Sequence, residues 1–302
     1  MDIENRAMGA FLGLACGDAV GTTVEFLPRG RFKPLTDMVG GGKFRLAKGK
    51  WTDDTSMAIC LAESLLSKND FDPLDQLKRY YEWANKGVNS SLSRPFGLGK
   101  QILAALWDFK ETGEPYSKKA LPNYSGNGSL MRLVPVILFY ARYPELAIKY
   151  AGLSSRTTHA SEECIQSCEY FATLLLRVFD NKSKEELFLE SDAERFNLLA
   201  PICTGEFKSK ISNDVGSYGY VVHSLEAALW AFWHTDNFRD AILAAANLGN
   251  DADTNAAICG QIAGAYYGVE NIPKTWLEIL YRKDYIQNFA LQLIRSNCES
   301  QA

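Results

Sequence analysis

Apolar residues recur three and four positions apart through most of this chain, at residues 7–19, 53–67, 73–85, 99–109, 129–141, 145–151, 160–179, 223–234, 238–247 and 253–267. That spacing gathers them on one face of a helix. The strict alternation of a half-buried strand is almost absent, and its best instance, residues 218–222, is short and broken by Gly219. The expected fold class is therefore all-α, a compact multi-helix orthogonal bundle. The segment after Asp253 constrains it further. Ala256, Ala257, Gly260, Ala263, Gly264 and Ala265 leave that helix nearly bare, and an interior glycine costs about 1 kcal/mol relative to alanine unless another backbone must come close. This helix belongs at the centre of the bundle.

Connections at 86–98, 110–128, 180–186 and 203–219 are rich in Gly, Ser, Asn and Lys. None resembles an extended linker between globular stretches, so one domain over 1–302 is expected, long enough to bury a large core. An apolar content of 47% excludes a disordered chain, and a net charge of -4 gives no overall pull toward nucleic acid. Seven cysteines, at 16, 60, 164, 168, 203, 259 and 298, form no CxxC pair and fall mostly in apolar helical stretches. They read as reduced core residues. Cys164, Cys168 and His159 imitate part of a zinc site, yet the two cysteines continue with Phe171, Leu175 and Val178 at helical spacing and no fourth ligand is evident. The stretch AMGAFLGLAC (7–16) resembles the apolar part of a signal peptide, but Asp2 and Glu4 outweigh Arg6 before it. No apolar run approaches the roughly 20 residues needed to cross a bilayer. A cytoplasmic monomer is expected.

Two acidic clusters far apart in the chain, Thr52-Asp53-Asp54-Thr55 and Asp251-Ala252-Asp253-Thr254, each open a segment that reads as a buried helix. Carboxylates at the rim of a core meet both desolvation and mutual repulsion, so something positive must compensate. A helix N-terminus contributes only a partial charge. Should the clusters meet, they make an all-oxygen site suited to Mg2+ or a similar hard cation. Taken alone, either one is better explained as a helix cap with solvated acids, with Thr52 placed to cap the helix from Asp53; the pair with its flanks fits that reading less well.

The spans GAFLGLACGDAVGTTVEF (9–26), WTDDTSMA (51–58), GNGSLMRLVPV (126–136), THASEEC (158–164), GYVVHSLEAALW (219–230) and NLGNDADTNAAICGQIAGAYYG (247–268) together resemble the ADP-ribosylglycohydrolase family, in family order over almost the whole chain. The resemblance implies an all-α domain with a central cleft holding two Mg2+ ions, or Mn2+, and binding ADP-ribose attached to a protein or small molecule. It implies Thr52, Asp53, Asp54, Asp251, Asp253 and Thr254 as metal ligands. Asp251 or Asp253 would steer a water, and Glu25 would be an acid on a mobile loop that closes over substrate or contacts a metal. Thr23 stands where the family often has proline, which bears on how that loop is held.

For substrate binding, Gly126-Asn127-Gly128-Ser129 precedes a helix expected from about Leu130 and would turn free N–H groups toward a diphosphate. Phe96, Gly97 and Gly99 match a family loop along which the distal ribose lies close to backbone. His159, expected at a helix start, would contact phosphate or ribose, and Tyr218, Gly219 and Tyr220 would line the adenosine end. His223, Trp230 and Trp233 share a helix face and read as packing. The function so implied is Mg2+-dependent hydrolysis of the N- or O-glycosidic bond between ADP-ribose and an acceptor, with mono-ADP-ribosyl-arginine on protein as the foremost substrate. The alternative is a non-catalytic ADP-ribose-binding or partner-blocking protein on the same fold. A prenyl-diphosphate enzyme would need acids at Met57 and Ile258, and a haloacid-dehalogenase-type phosphatase would need a strand before Asp251.

Overall fold

The computed structural model describes residues 1–119 and 124–296. Cys298, and residues 120–123 of the 110–128 connection, lie outside the described residues. Among those described the protein is all-α, with no strand and only two isolated bridges, Gly41 with Leu46 and Gly126 with Tyr220. The 218–222 stretch thus supplies one bridge and turns into helix at Val221.

The first half of the chain forms α1 (Ile3–Gly21), α2 (Asp53–Lys68), α3 (Pro73–Lys86), α4 (Lys100–Thr112), α5 (Val134–Phe139), α6 (Pro144–Arg156) and α7 (Glu162–Phe179). Three single turns follow, α8 (Lys184–Leu187), α9 (Asp192–Arg195) and α10 (Ala200–Cys203). The remainder is α11 (Val221–Trp233), α12 (Phe238–Ala246), α13 (Ala252–Tyr267), α14 (Lys274–Ile279) and α15 (Lys283–Ser296). One cluster of buried apolar side chains runs from Ala7 to Ile294. Six cysteines, Cys16, Cys60, Cys164, Cys168, Cys203 and Cys259, are buried and free. Among the described residues no helix is long and apolar enough to cross a membrane.

The bundle is built around α1 and α13. A Cβ on Gly9 would meet Gly264 O at 2.1 Å, on Gly13 Gly260 O at 2.2 Å, on Gly17 Ala256 O at 2.1 Å and on Gly21 Ala252 O at 2.3 Å. Partner numbers fall as the others rise, so the helices run antiparallel with backbones in contact over their whole length. The glycines of α13 serve the close approach expected of them. This pairing also carries the C-terminal end of α1 to the N-terminus of α13, where the acids are.

The helix expected over 129–141 forms only at 134–139. Pro135 has no N–H to give to Met131, so it fits near a helix start and not inside one, and Leu130 and Met131 instead turn their N–H groups onto Asn127 O at 3.0 and 3.1 Å. α6 outruns its expected 145–151 because Gly152, Ser154 and Ser155 are buried against neighbours despite weak helix propensity. α14 and α15 were not anticipated. α15 has an apolar stripe, Ile286, Ala290, Leu293 and Ile294, facing the core.

Candidate active site

The two acidic clusters meet. α2 begins at Asp53 and α13 at Ala252, and the end of α1 lies against both, so three helices converge with carboxylates at the junction. Carboxylate oxygens of Asp18, Asp54 and Asp253 lie within 4.8 Å of one another, and so do those of Glu25, Asp251 and Asp253. Asp253 belongs to both groups. The residue that sequence reasoning missed is Asp18, fully buried in α1. Its Oδ1 accepts from Thr52 N and Thr52 Oγ1, both at 2.8 Å, and its Oδ2 accepts from Thr55 N at 3.1 Å and Thr55 Oγ1 at 2.7 Å. Thr52 holds the N-cap position of α2 but makes no side-chain cap bond; Asp18 satisfies those orphan donors from another helix. An acid in the otherwise apolar GLACGDAVG stretch was the available signal.

These carboxylates have too little positive charge around them. No lysine or arginine forms an ion pair with any of them among the described residues. Burial, then the neighbouring acids, raises Asp53, Asp54 and Asp253 well above the usual carboxylate range. Burial also raises Asp18, against four hydrogen bonds that lower it, and Asp251, against the bond from Asn127. Glu25 is pushed up to about 8, chiefly by burial, with Asp251 and Asp18 adding repulsion and a hydrogen bond with Asp253 and the charge of Lys43 opposing it. Asp54 Oδ1 and Glu25 Oε2 are buried with no hydrogen-bond partner. Orphaned carboxylate oxygens in a ring of acids, with threonine hydroxyls between them, are the donor set a hard divalent cation takes. Thr52 Oγ1 lies 3.2 Å from Asp54 Oδ2 and 3.5 Å from Asp253 Oδ2, and Thr254 N donates to Asp253 Oδ1 at 2.9 Å.

Glu25, Asp53, Asp251 and Asp253 line the floor of a cleft of about 500 Å³, with Asp18 and Asp54 outside its lining. Glycines shape its walls. Gly97, at φ +77°, leaves no room for a side chain, since a Cβ would sit 2.3 Å from Asp53 Oδ1; one on Gly219 would come within 3.1 Å of Asp251 Oδ2. Gly99 is different, for a Cβ there would only touch Ile102 at 3.7 Å. Phe96 is buried and packs edge-on against Phe44, ring centres 5.2 Å apart, while Leu98 faces the cleft.

The Gly126–Ser129 turn crosses the far wall. Gly126 N donates to Gln101 Oε1 at 3.2 Å and Asn127 N to Gly219 O at 3.2 Å. Among the described residues neither Gly128 N nor Ser129 N has an acceptor. Gly128 lines the cleft, so its N–H is open to an anion there, while Ser129 is buried beside it, and the regular helix expected behind them starts only at Val134. The Asn127 side chain is already engaged, with Nδ2 donating to Asp251 Oδ2 at 2.7 Å and Ser224 Oγ at 2.8 Å, so it ties the turn to the acidic floor. Ser129 Oγ is hydrogen-bonded to Ser155 Oγ at 2.8 Å behind the turn. His159 lines the cleft against Gly126 and Gly128, three residues before α7, whose N-cap is Ser161. Burial holds its pKa well below the ordinary histidine value, with Arg132 adding to the effect. Cys164 and Cys168 back this wall, and burial pushes their thiols up to about 12 and about 11.

At the mouth, Phe26 and Tyr218 are 54% and 64% exposed and flank a shallower depression that Gly219 and Asp251 also line. Phe26 adopts φ 66°, a left-handed conformation costly for an aromatic residue. It is stitched in place, Phe26 N donating to Asn250 O at 2.6 Å and Asn250 N to Leu27 O at 2.8 Å. Lys43 Nζ lies 4.2 Å from the Phe26 ring centre. Tyr220 is tied off to the side, its hydroxyl donating to Glu163 Oε1 at 2.7 Å and its ring edge-on to His223.

The whole chain, residues 1–302, matches the family model described as ADP-ribosylglycohydrolase. It is 43% identical to the ADP-ribosylarginine hydrolase Tri1 of Serratia proteamaculans, covering 96% of this chain and 79% of that one. It is 30% identical to the ADP-ribosyl-[dinitrogen reductase] glycohydrolase of Rhodospirillum rubrum, covering 93% and 92%. A solved structure titled ADP-ribosylglycohydrolase-related protein complex superposes with a TM-score of 0.87 at 40% identity, covering 98% of this chain and 99% of that one.

Proposed function

The chain belongs to the ADP-ribosylglycohydrolase family of hydrolases, and from that footing we propose that it cleaves the N-glycosidic bond joining ADP-ribose to an arginine side chain on protein, with Mg2+ or Mn2+. The observation that carries this reading is the junction of three helices where Asp253 is shared by two carboxylate groups and two acid oxygens are left without partners. Relatives named as ADP-ribosylarginine hydrolases support arginine as the acceptor.

Thr52, Asp53, Asp54, Asp251, Asp253 and Thr254 hold two cations in this reading, with Asp18 bracing Thr52 from behind. Once bound, such ions supply charge neutralisation and Lewis-acid polarisation at the distal ribose and a water. The protein's own groups do the rest. Gly128 N takes the diphosphate, and Gly97 lets the ribose lie against backbone beside Asp53. Glu25, Asp251 and Asp253 face the anomeric carbon, where one of them takes a proton from the incoming water as its oxygen bonds to that carbon. The C–N bond breaks, its electron pair leaves with the guanidine, and the proton is returned to that nitrogen. Carboxylate charge around the sugar stabilises the oxocarbenium-like state through which it passes. The enzyme acts as a single domain and as a cytoplasmic monomer.

The test is to give the full chain a protein mono-ADP-ribosylated on arginine, with Mg2+ and then with EDTA, and to follow release of ADP-ribose. Release with metal and none with chelator is expected. No release under either condition overturns the reading, and binding of ADP-ribose without turnover replaces it with the non-catalytic binder.

A further inference from the structure

Behind the glycine turn stands a buried guanidinium with no acid to match it. Arg132 is fully buried, and among the described residues it donates only to neutral groups. It reaches Gly128 O at 3.0 Å, Thr157 Oγ1 at 3.3 Å and Thr158 Oγ1 at 2.7 Å, and its guanidinium carbon lies 4.6 Å from the Tyr80 ring centre. An arginine cannot accept, so Thr158 Oγ1 receives this bond. The same oxygen is 2.7 Å from His159 Nδ1.

That contact allows two arrangements, and one is costly. If Nδ1 carried the ring proton and gave it to Oγ1, the hydroxyl's own hydrogen would have no acceptor in a fully buried place. With the hydroxyl donating to Nδ1, no hydrogen is stranded on Thr158 and the ring proton resides on Nε2, at the edge that borders the cleft. Thr157 does likewise one residue earlier, accepting from Arg132 and donating to Ser154 O at 2.7 Å. The Nε2 edge faces the turn, where a Cβ on Gly128 would sit 3.1 Å from it and one on Gly126 3.4 Å. Among the described residues Nε2 has no partner, and the ring borders the cleft.

We propose that Arg132 and Thr158 are positioning residues that fix His159 as an Nε2–H donor, aimed past the two glycines at an anionic oxygen of the ADP-ribose diphosphate. The inference rests on reading the cleft as an ADP-ribose site. Arg132 thereby serves the ligand twice without touching it. It holds the turn through Gly128 O and orients the histidine through Thr158, while its unmatched charge favours an anion in front of both.

Thr158→Val keeps the shape and removes the relay; Thr158→Ser keeps the relay. Calorimetry of the full chain with ADP-ribose and Mg2+ is expected to show Kd rising about tenfold or more in Thr158→Val, as for a lost hydrogen bond to a charged group, and staying near native in Thr158→Ser. KM for the arginine-linked substrate should rise with Kd while kcat moves little. Nitrogen-15 spectra of the imidazoles, with the His159 signals assigned by their loss in His159→Gln, should show the proton on Nε2 in the native protein and spread over both nitrogens in Thr158→Val. Equal ADP-ribose affinity in native and Thr158→Val, or a native ring protonated on Nδ1, overturns the proposal. A merely structural Thr158 would lower thermal stability and leave the ring tautomer unchanged, which also overturns it. If the native protein fails to bind ADP-ribose, the assignment of the cleft falls, and the imidazole spectra still decide the relay.

Discussion

Gly260→Ala tests whether the α1–α13 contact sets the architecture. A Cβ at this position would lie 2.1 Å from Gly13 O and 2.5 Å from Gly13 C. Carbon and oxygen in non-bonded contact settle at about 3.3 Å, so the two helices must part there by about 1.2 Å. The obstacle is backbone and cannot rotate away. Overpacking of this kind costs about 1–3 kcal/mol, with this site at the upper end because neighbouring approaches at Gly9, Gly17 and Gly21 resist the same movement. Alanine recovers about 1 kcal/mol in helix propensity. The net expectation is a loss of about 2 kcal/mol, or a fall in Tm of about 3–6 °C for a chain of this size. Gly152→Ala in α6 is the control. Its Cβ would meet Glu169 Oε1 at 2.4 Å, the end of a side chain that can swing aside, so the propensity gain should survive and Tm should hold or rise slightly. Both variants are compared by thermal unfolding in EDTA. If Gly260→Ala melts within 1 °C of native, or above Gly152→Ala, the reasoning fails.

Asp253→Asn removes the acid common to both oxygen groups, so ADP-ribose release should fall at least about 100-fold, while the metal-free protein should melt higher than native at pH 8 because like-charge repulsion is relieved; a variant that keeps its activity contradicts the site. The acids at the junction are raised, Glu25 to about 8, so the folded chain keeps protons that the unfolded chain has released. Between roughly pH 4 and 8 the metal-free stability should therefore fall as pH rises, and the gain in Tm on adding Mg2+ should be small at pH 5 and larger at pH 8. A gain that is flat or shrinks with pH would show that the cation does not bind these groups. Asp18→Asn puts an amide nitrogen against at least one of the donors from Thr52 and Thr55; this should destabilise the metal-free protein by about 2–4 kcal/mol, outweighing the relief of charge, and a urea midpoint equal to native would refute the bracing role.

Much of the fold follows from periodicity because most helices here are either striped or bare. α7 shows an apolar face, and α13 shows a lack of side chains that only close backbone contact explains. The start of α5 was not legible, because apolar spacing runs on through residues whose N–H groups the Gly126–Ser129 turn has already claimed. α15 was missed although Ile286, Ala290, Leu293 and Ile294 are properly spaced, its mean hydropathy being low between charged ends. At the site, the acidic clusters were legible since each opens a helix whose next turns are apolar. Asp18 was not, because its four donors lie beyond a loop of more than thirty residues. Phe96 and Tyr220 were recognisable as aromatic, but their partners Phe44 and Glu163 are set by tertiary packing, which local pattern does not encode.

Buried and exposed parts of this cleft are drawn from different structural stock. Asp18, Asp53, Asp54 and Asp253 sit on three helices wedged together, two of them in backbone contact, so a shift in one of these carboxylates would require moving the frame. Phe26 and Tyr218, at the entrance, belong to connecting loops and stand in solvent. Substitution at the entrance can thus change the shape of the opening while the carboxylate junction behind it stays as it is.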